Sequence, residues 1–257
     1  MPVTTGPGPG PRPHPTMIRL HLFDLDQPPE PTAVLRSVLD AGELARADRF
    51  RRPLDRERFV VGRALLRILV GGACDRAPSD VPIVYGPHGK PRMADSEQGY
   101  PAFGVTHTQN LLAVALRLDG NAEVGVDAEI VRPVDSVEGV AQRVFTAAEM
   151  ADVVPAATAG DWSPFYRYWT AKEAVLKALG TGFSLEARAV TVRPAADATF
   201  RVEPTTEVIR GLPDRGRWLW AHAPGRSISD QRAVIALTPM DVDESVEVRP
   251  IEVPAPS

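Results

Sequence analysis

The chain has one cysteine, Cys74, among 257 residues, which excludes an internal disulfide framework and fits a reducing cytoplasm. That cysteine and five scattered histidines are too few for an expected structural zinc site. No run approaches eighteen apolar residues, so no membrane span is expected. An excess of positive charge is also missing. The formal net charge is −4, which argues against a general nucleic-acid binder, normally basic. Nor is there a glycine-rich phosphate loop of the Walker kind. Proline is plentiful at 26, but many lie in the two ends of the chain. The rest of the composition, 44% hydrophobic and 24% charged, is ordinary for a soluble globular protein. Its length suffices for a sizeable core, as one large domain or two joined halves.

Along the chain, residues 1–16 are rich in Gly-Pro and lack the apolar core of a signal peptide, so a disordered leader is expected. Residues 17–25 alternate like a strand, with helices predicted over Pro31–Leu39 and Ala41–Phe50. A longer helix follows, which Asp55 would cap and Gly71-Gly72 would end. Eight arginines lie between Arg46 and Arg67. At about 100° per residue, Arg56, Arg63 and Arg67 share one side, as a solvated basic face would. Arg58 instead falls among Val61, Leu65 and Leu69 on the apolar side, where it needs an internal ion pair or an anionic ligand. Val81–Tyr85 is strand-like, and the next six residues, Gly86 to Pro91, are turn-rich. A strand over 103–108 carries His107 between Thr106 and Thr108. That histidine is either a satisfied structural residue or a ligand.

Leu111–Leu116 and Val124–Ile130 read as two strands of a hairpin, joined by the turn residues Asp119-Gly120-Asn121. Alternation puts Val124, Val126, Ala128 and Ile130 on one face of the second strand and Asp127 and Glu129 on the other. Two carboxylates so placed are an acidic exposed face, or they hold a cation. Hard oxygen ligands of this kind suit Mg²⁺. Val134–Met150 is predicted helical and 151–162 a loop. A helix then runs from Ser163-Pro164 to the stop at Gly180. On it Glu173 and Lys177 are four apart, with Lys172 beside them: a surface ion pair worth about 0.3–0.5 kcal/mol, or part of a site. Strands are expected near 188–193, 199–203, 216–222 and 232–237, followed by a loose tail over 240–257.

Two segments, Gly125-Val126-Asp127-Ala128-Glu129 and Trp169-Thr170-Ala171-Lys172-Glu173-Ala174-Val175-Leu176-Lys177, together resemble a family signature. They are similar to the G-[IV]-D-x-E strand and W-[ST]-x-K-E-[AS]-x-x-K helix of the 4′-phosphopantetheinyl transferases, in their large surfactin-synthetase-activating (Sfp) type. Phe145-Thr146-Ala147-Ala148-Glu149 echoes that family's F-[ST]-x-x-E. The resemblance is close over 43–183. It implies an α+β fold, a pseudo-twofold pair of similar halves, each a small antiparallel sheet packed with helices. The halves would span 17–120 and 121–239.

By the same resemblance, coenzyme A would be bound by Arg46 and Arg58 at its 3′-phosphate, by Lys90 and Pro91 near the adenine, and by Thr106 and His107 at its phosphates. Lys172 and Lys177 would complete that set. Mg²⁺ would be held by Asp127, Glu129 and Glu173. Glu173, Lys177 and Lys172 would be catalytic, moving phosphopantetheine to a serine of an apo acyl- or peptidyl-carrier protein. Phe59 stands where the family has a threonine touching the 3′-phosphate, and Gly104 where it has an asparagine. A cytoplasmic monomer with no nucleic-acid or membrane partner is expected. A catalytically degenerate carrier-binding relative, or another Mg²⁺- and nucleotide-dependent enzyme, are the competing readings.

Overall fold

Alternating apolar residues open the described chain as strand β1 (Met17–Asp24), with Ile18 and Leu20 fully buried. The computed structural model describes residues 17–94, 101–118, 123–181, 187–195, 198–204, 215–222, 232–238 and 245–249. The leader expected over 1–16 lies outside them. Helices α1 (Thr32–Arg36) and α2 (Ala41–Ala47) follow. Asp40 and Glu43 cap α2 reciprocally, each side chain accepting from the other's backbone N–H.

Helix α3 (Pro53–Cys74) starts and stops differently from expectation. Pro53 rather than Asp55 opens its first turn, and both Gly71 and Gly72 lie inside it. The stop is Asp75, in the left-handed region at φ 53°. Gly71 serves a close approach instead: a Cβ there would sit 2.7 Å from the Arg76 carbonyl oxygen.

A small hairpin of β2 (Ile83–Tyr85) and β3 (Pro91–Met93) precedes β4 (Ala102–Thr108), β5 (Leu111–Arg117) and β6 (Gly125–Ile130). Next come α4 (Val137–Val144) and α5 (Ala147–Thr158), divided because Thr146 and Glu149 form a second capping box. Most of the loop expected over 151–162 is therefore helix. Helix α6 (Ser163–Leu179) has Pro164 in its first turn and Gly180 at its end, with φ 68°. Strands β7 (Val190–Pro194), β8 (Thr199–Pro204), β9 (Arg215–His222), β10 (Arg232–Thr238) and β11 (Ser245–Arg249) complete the order.

The strands form two main sheets, ordered β11-β1-β5-β4 and β6-β10-β9-β8-β7. Each has one long helix on its outer face, α3 on the first and α6 on the second. Phe23, Leu112, Val114 and Leu116 bury against α3, while Val190, Val192, Val234 and Ala236 bury against α6 and its neighbours. The inner faces meet in a third cluster, with Leu20, Leu111 and Ala113 facing Val126, Ala128 and Ile235. This is the expected α+β pair of sheet-and-helix halves.

That inner layer also corrects the hairpin reading. β5 and β6 belong to different sheets, because stacking buries both of their apolar faces. The tail reading changes too, since Ser245–Arg249 pair in parallel with Met17–His21 at the edge of the first sheet. Arg67 is not on a solvated face. Its side chain is 1% exposed, and Nε donates to Glu43 Oε2 at 2.6 Å and Nη1 to the Val81 carbonyl at 3.1 Å. A second carboxylate, Asp40, also pairs with it, so this buried charge is fully partnered. Among the described residues no helix is long and apolar enough to cross a membrane.

Candidate active site

The site is built where β6 presses against α6. A Cβ on Gly125 would lie 1.9 Å from the Ala174 carbonyl oxygen, so only glycine lets strand and helix approach this closely. Gly104 plays the same part on the other side, where a Cβ would meet the Val124 oxygen at 3.1 Å. These contacts bring β4, β6 and α6 together edge to face.

Period-two alternation then sets the polar groups. Thr106 and Thr108 of β4 face Asp127 and Glu129 of β6, with hydroxyl-to-carboxylate hydrogen bonds of 3.2 and 3.0 Å. From α6, Lys177 Nζ donates to Thr106 Oγ1 at 2.9 Å and pairs with Asp127 Oδ1. Glu173 lies one turn earlier on the same half-buried helix face. Asp127 is 4% exposed, and its Oδ2 is buried with no hydrogen-bond partner.

Electrostatics follow from this crowding. Burial pushes the Asp127 carboxyl up, with Lys177 opposing. Glu129 and Glu173 are raised first by burial and then by the neighbouring Asp127 charge. His107 is lowered by burial and by the cations Lys177, Arg63 and Arg58. The Asp127 charge disfavours ionisation at Glu129 and Glu173, and Asp127 itself keeps an orphaned oxygen, an arrangement that suits a hard divalent cation. Among the described residues no three acidic, histidine or cysteine side chains close around a metal position by themselves. Carboxylate oxygens of this kind are the donors Mg²⁺ uses when ligand phosphates and water complete its shell, and they do not make an all-protein cage.

Two adjoining clefts open beside this cluster. The larger, about 630 Å³, is lined by Arg46, Arg58, Phe59, Arg63, Thr106 and His107 among others. The second, about 410 Å³, is lined by Lys90, Phe103, Glu173, Leu176 and Lys177. Gly89, Pro91 and Val105 form their common wall. Such volumes suit an extended small molecule.

The structure thus gathers ten of the eleven site residues named from sequence, and it modifies two of those ten. Arg58 is not on the apolar face: it lies at the cleft and binds Asp26 in a fork, Nε and Nη2 each 2.7 Å from a carboxylate oxygen. Burial on α3 begins only at Val60, so the helix's first turns run past the core. Lys90 bonds to the Ala178 carbonyl at 3.0 Å and pairs with Glu123, tying the 86–90 turn to the end of α6. The eleventh, Lys172, is not brought to the clefts. It is fully buried, pairing with Glu149 at 2.8 Å and donating to the Ala187 and Val190 carbonyls. Sequence reasoning missed Thr108, which the shared period of Thr-His-Thr and Asp-Ala-Glu could have indicated. It also placed Arg63 on a solvated face, with no local signal to the contrary.

Comparison with known proteins agrees with this geometry. The family model of the 4′-phosphopantetheinyl transferase superfamily matches residues 123–237, which hold β6, α6 and the second sheet. The chain is similar to the 4′-phosphopantetheinyl transferase HetI of Nostoc sp. (strain PCC 7120), at 34% identity over 200 residues, covering 77% of this chain and 83% of HetI. It is also similar to the 4′-phosphopantetheinyl transferase AcpT of Salmonella typhi, at 34% over 148 residues, covering 56% of this chain and 70% of AcpT. The 4′-phosphopantetheinyl transferase ffp of Bacillus subtilis matches at 27% over 181 residues, 70% of this chain and 78% of ffp. With both signature segments converging on one pair of clefts, the chain belongs to the 4′-phosphopantetheinyl transferase superfamily.

Proposed function

We propose that this chain is a Mg²⁺-dependent holo-carrier-protein synthase of the large, Sfp-like type. It transfers 4′-phosphopantetheine from coenzyme A to a serine of an apo acyl- or peptidyl-carrier protein and releases 3′,5′-ADP. The observation that carries the reading is the meeting of Asp127, Thr106 and Lys177 beside two adjoining clefts of about 630 and 410 Å³.

The nucleotide end would lie in the larger cleft, with Arg46 and Arg58 toward the 3′-phosphate and Pro91 and Lys90 flanking the base. Thr106 and a neutral His107 would donate to phosphate oxygens. The pantetheine arm would follow the second cleft past Phe103 and Leu176. In the reaction the serine oxygen bonds to the β-phosphorus, and the bond from that phosphorus to the bridging oxygen breaks. Glu173, whose carboxyl burial raises above its ordinary value, is suited to accept the serine proton. Lys177 is placed to stabilise the charge on the departing phosphate, which positioning and charge neutralisation chiefly require. Mg²⁺ held by Asp127, Glu129 and Glu173 would neutralise the pyrophosphate oxygens. Lys172 has a structural rather than a phosphate-binding role. Two complete halves in one chain support action as a monomer.

Incubating the protein with coenzyme A, Mg²⁺ and an apo-carrier, then weighing the carrier by mass spectrometry, tests this reading. A carrier heavier by one phosphopantetheine is expected. Carrier binding without added mass would indicate the degenerate relative, and no reaction or binding would point to another nucleotide-dependent enzyme.

A further inference from the structure

The arginines of α1 and α3 differ in how their charge is met. Arg67 is enclosed by Glu43 and Asp40, Arg58 is forked onto Asp26, and Arg36 pairs with Asp48 at 2.8 Å. Arg63 has no carboxylate partner among the described residues, and its Nη1 is buried with no hydrogen-bond partner. Two rings hold it. Its guanidinium lies 5.4 Å from the Phe59 ring centre and 5.4 Å from that of Tyr85. Arg46 lies 5.2 Å from the same Phe59 ring, and Phe50 packs against that ring at 5.2 Å.

Ring contacts fix the plane of a guanidinium but do not satisfy its N–H groups. A buried N–H with no acceptor costs free energy unless a ligand supplies one, and a phosphate matches the fork geometry of arginine. Phe59, Arg46 and Arg63 line the larger cleft and not the second, so they sit away from the Lys177 end. We propose that Arg63 is a ligand of the 3′-phosphate of coenzyme A, acting beside Arg46 on the shelf made by Phe59. This assignment rests on the coenzyme A reading above. It gives the aromatic residue at position 59 a use: the ring carries no hydroxyl, but it orients two guanidinium groups toward one dianion.

Calorimetric titration of the full chain with coenzyme A and with 3′-dephospho-coenzyme A, both in Mg²⁺, tests the assignment. Wild type should prefer coenzyme A. Arg63→Met should weaken coenzyme A by about 10- to 100-fold, the worth of charge-assisted hydrogen bonds, and leave the dephospho form within about threefold. Equal losses for the two ligands, or none, would overturn it. Should Arg63→Met not fold, Arg63→Lys decides in its place. It keeps the charge without the fork, so a smaller loss confined to coenzyme A supports the assignment, and equal losses or none overturn it. A wild-type protein that binds both forms equally overturns the Arg63 role alone. One that binds neither overturns the coenzyme A reading itself.

Discussion

On one side of α6, Lys172 is sealed in the core, and its three N–H donors meet Glu149 and the Ala187 and Val190 carbonyls. Five residues further, about 140° around the helix, Lys177 stands half-buried between Thr106 and Asp127, and Asp127 keeps one oxygen unpartnered. One short motif thus contains a packing lysine and a cleft lysine. The first locks α5 and the strand β7 onto the helix, through Glu149 and the Val190 carbonyl, and Glu149 also accepts from Val192 N–H at 2.7 Å. The second stands at the wall of the second cleft, beside a carboxylate that keeps one acceptor oxygen unmet. Complete satisfaction marks the scaffold, and a deficit marks the site.

That contrast can be broken by substitution, the largest effect coming at Lys177. Lys177→Met should lower carrier modification roughly 10²- to 10³-fold, the cost of losing one charge-stabilising group. The accompanying loss of stability should be smaller, because the Asp127 carboxyl it leaves is already pushed up by burial and can take a proton. Lys172→Met should do the reverse, costing about 3 kcal/mol of stability because Glu149 is left buried without its cation. Calorimetry would show it, and adding Glu149→Gln should restore part of the loss. A Lys172→Met protein of normal stability and no activity would reverse the two roles.

Next in size is Gly125→Ala, which must part β6 from α6 and should cost roughly 1–3 kcal/mol by chemical denaturation, with reduced turnover. Gly72→Ala is its counterpart: a Cβ there meets nothing within 4 Å inside α3, so stability should rise by about 0.5–1 kcal/mol. The smallest effect concerns the exposed pair at the cleft rim. The Arg58 hydrogen bond holds the Asp26 carboxyl below its ordinary 3.8. A depressed folded pKa contributes stability above the unfolded value and loses it as pH falls through the folded one. Asp26→Asn should therefore remove a small part of the acid dependence below about pH 4, worth no more than about 1 kcal/mol at neutral pH.

The acidic strand, the helix with its stop at Gly180, and the places of most strands along the chain were legible in local pattern, because alternation, capping and glycine are local chemistry. Other features depend on what arrives from afar. A helical wheel puts Arg67 with Arg63 and Arg56, yet only the arrival of α2 with Glu43 and Asp40 makes Arg67 a core residue. The same wheel puts Arg58 on the core stripe, but cannot say that the core ends at Val60. Turn residues at 119–121 suggest a reversal without saying whether the two strands then pair or stack. β11 pairs with a strand more than two hundred residues earlier, a match no local pattern carries. Within the site, the shared helix face of Glu173 and Lys177 follows from their spacing, while their place in a site came from the resemblance. The division between Lys172 and Lys177 does not, because it needs the position of Glu149.

The most direct test is carrier modification by Asp127→Ala across a Mg²⁺ titration, read as the mass of the carrier, with circular dichroism confirming the fold. Loss of turnover by roughly 10³-fold or more at millimolar Mg²⁺, with the fold intact, is the expected result. Near-normal turnover in that variant would contradict the assignment of the β6 carboxylates to the metal and the reaction.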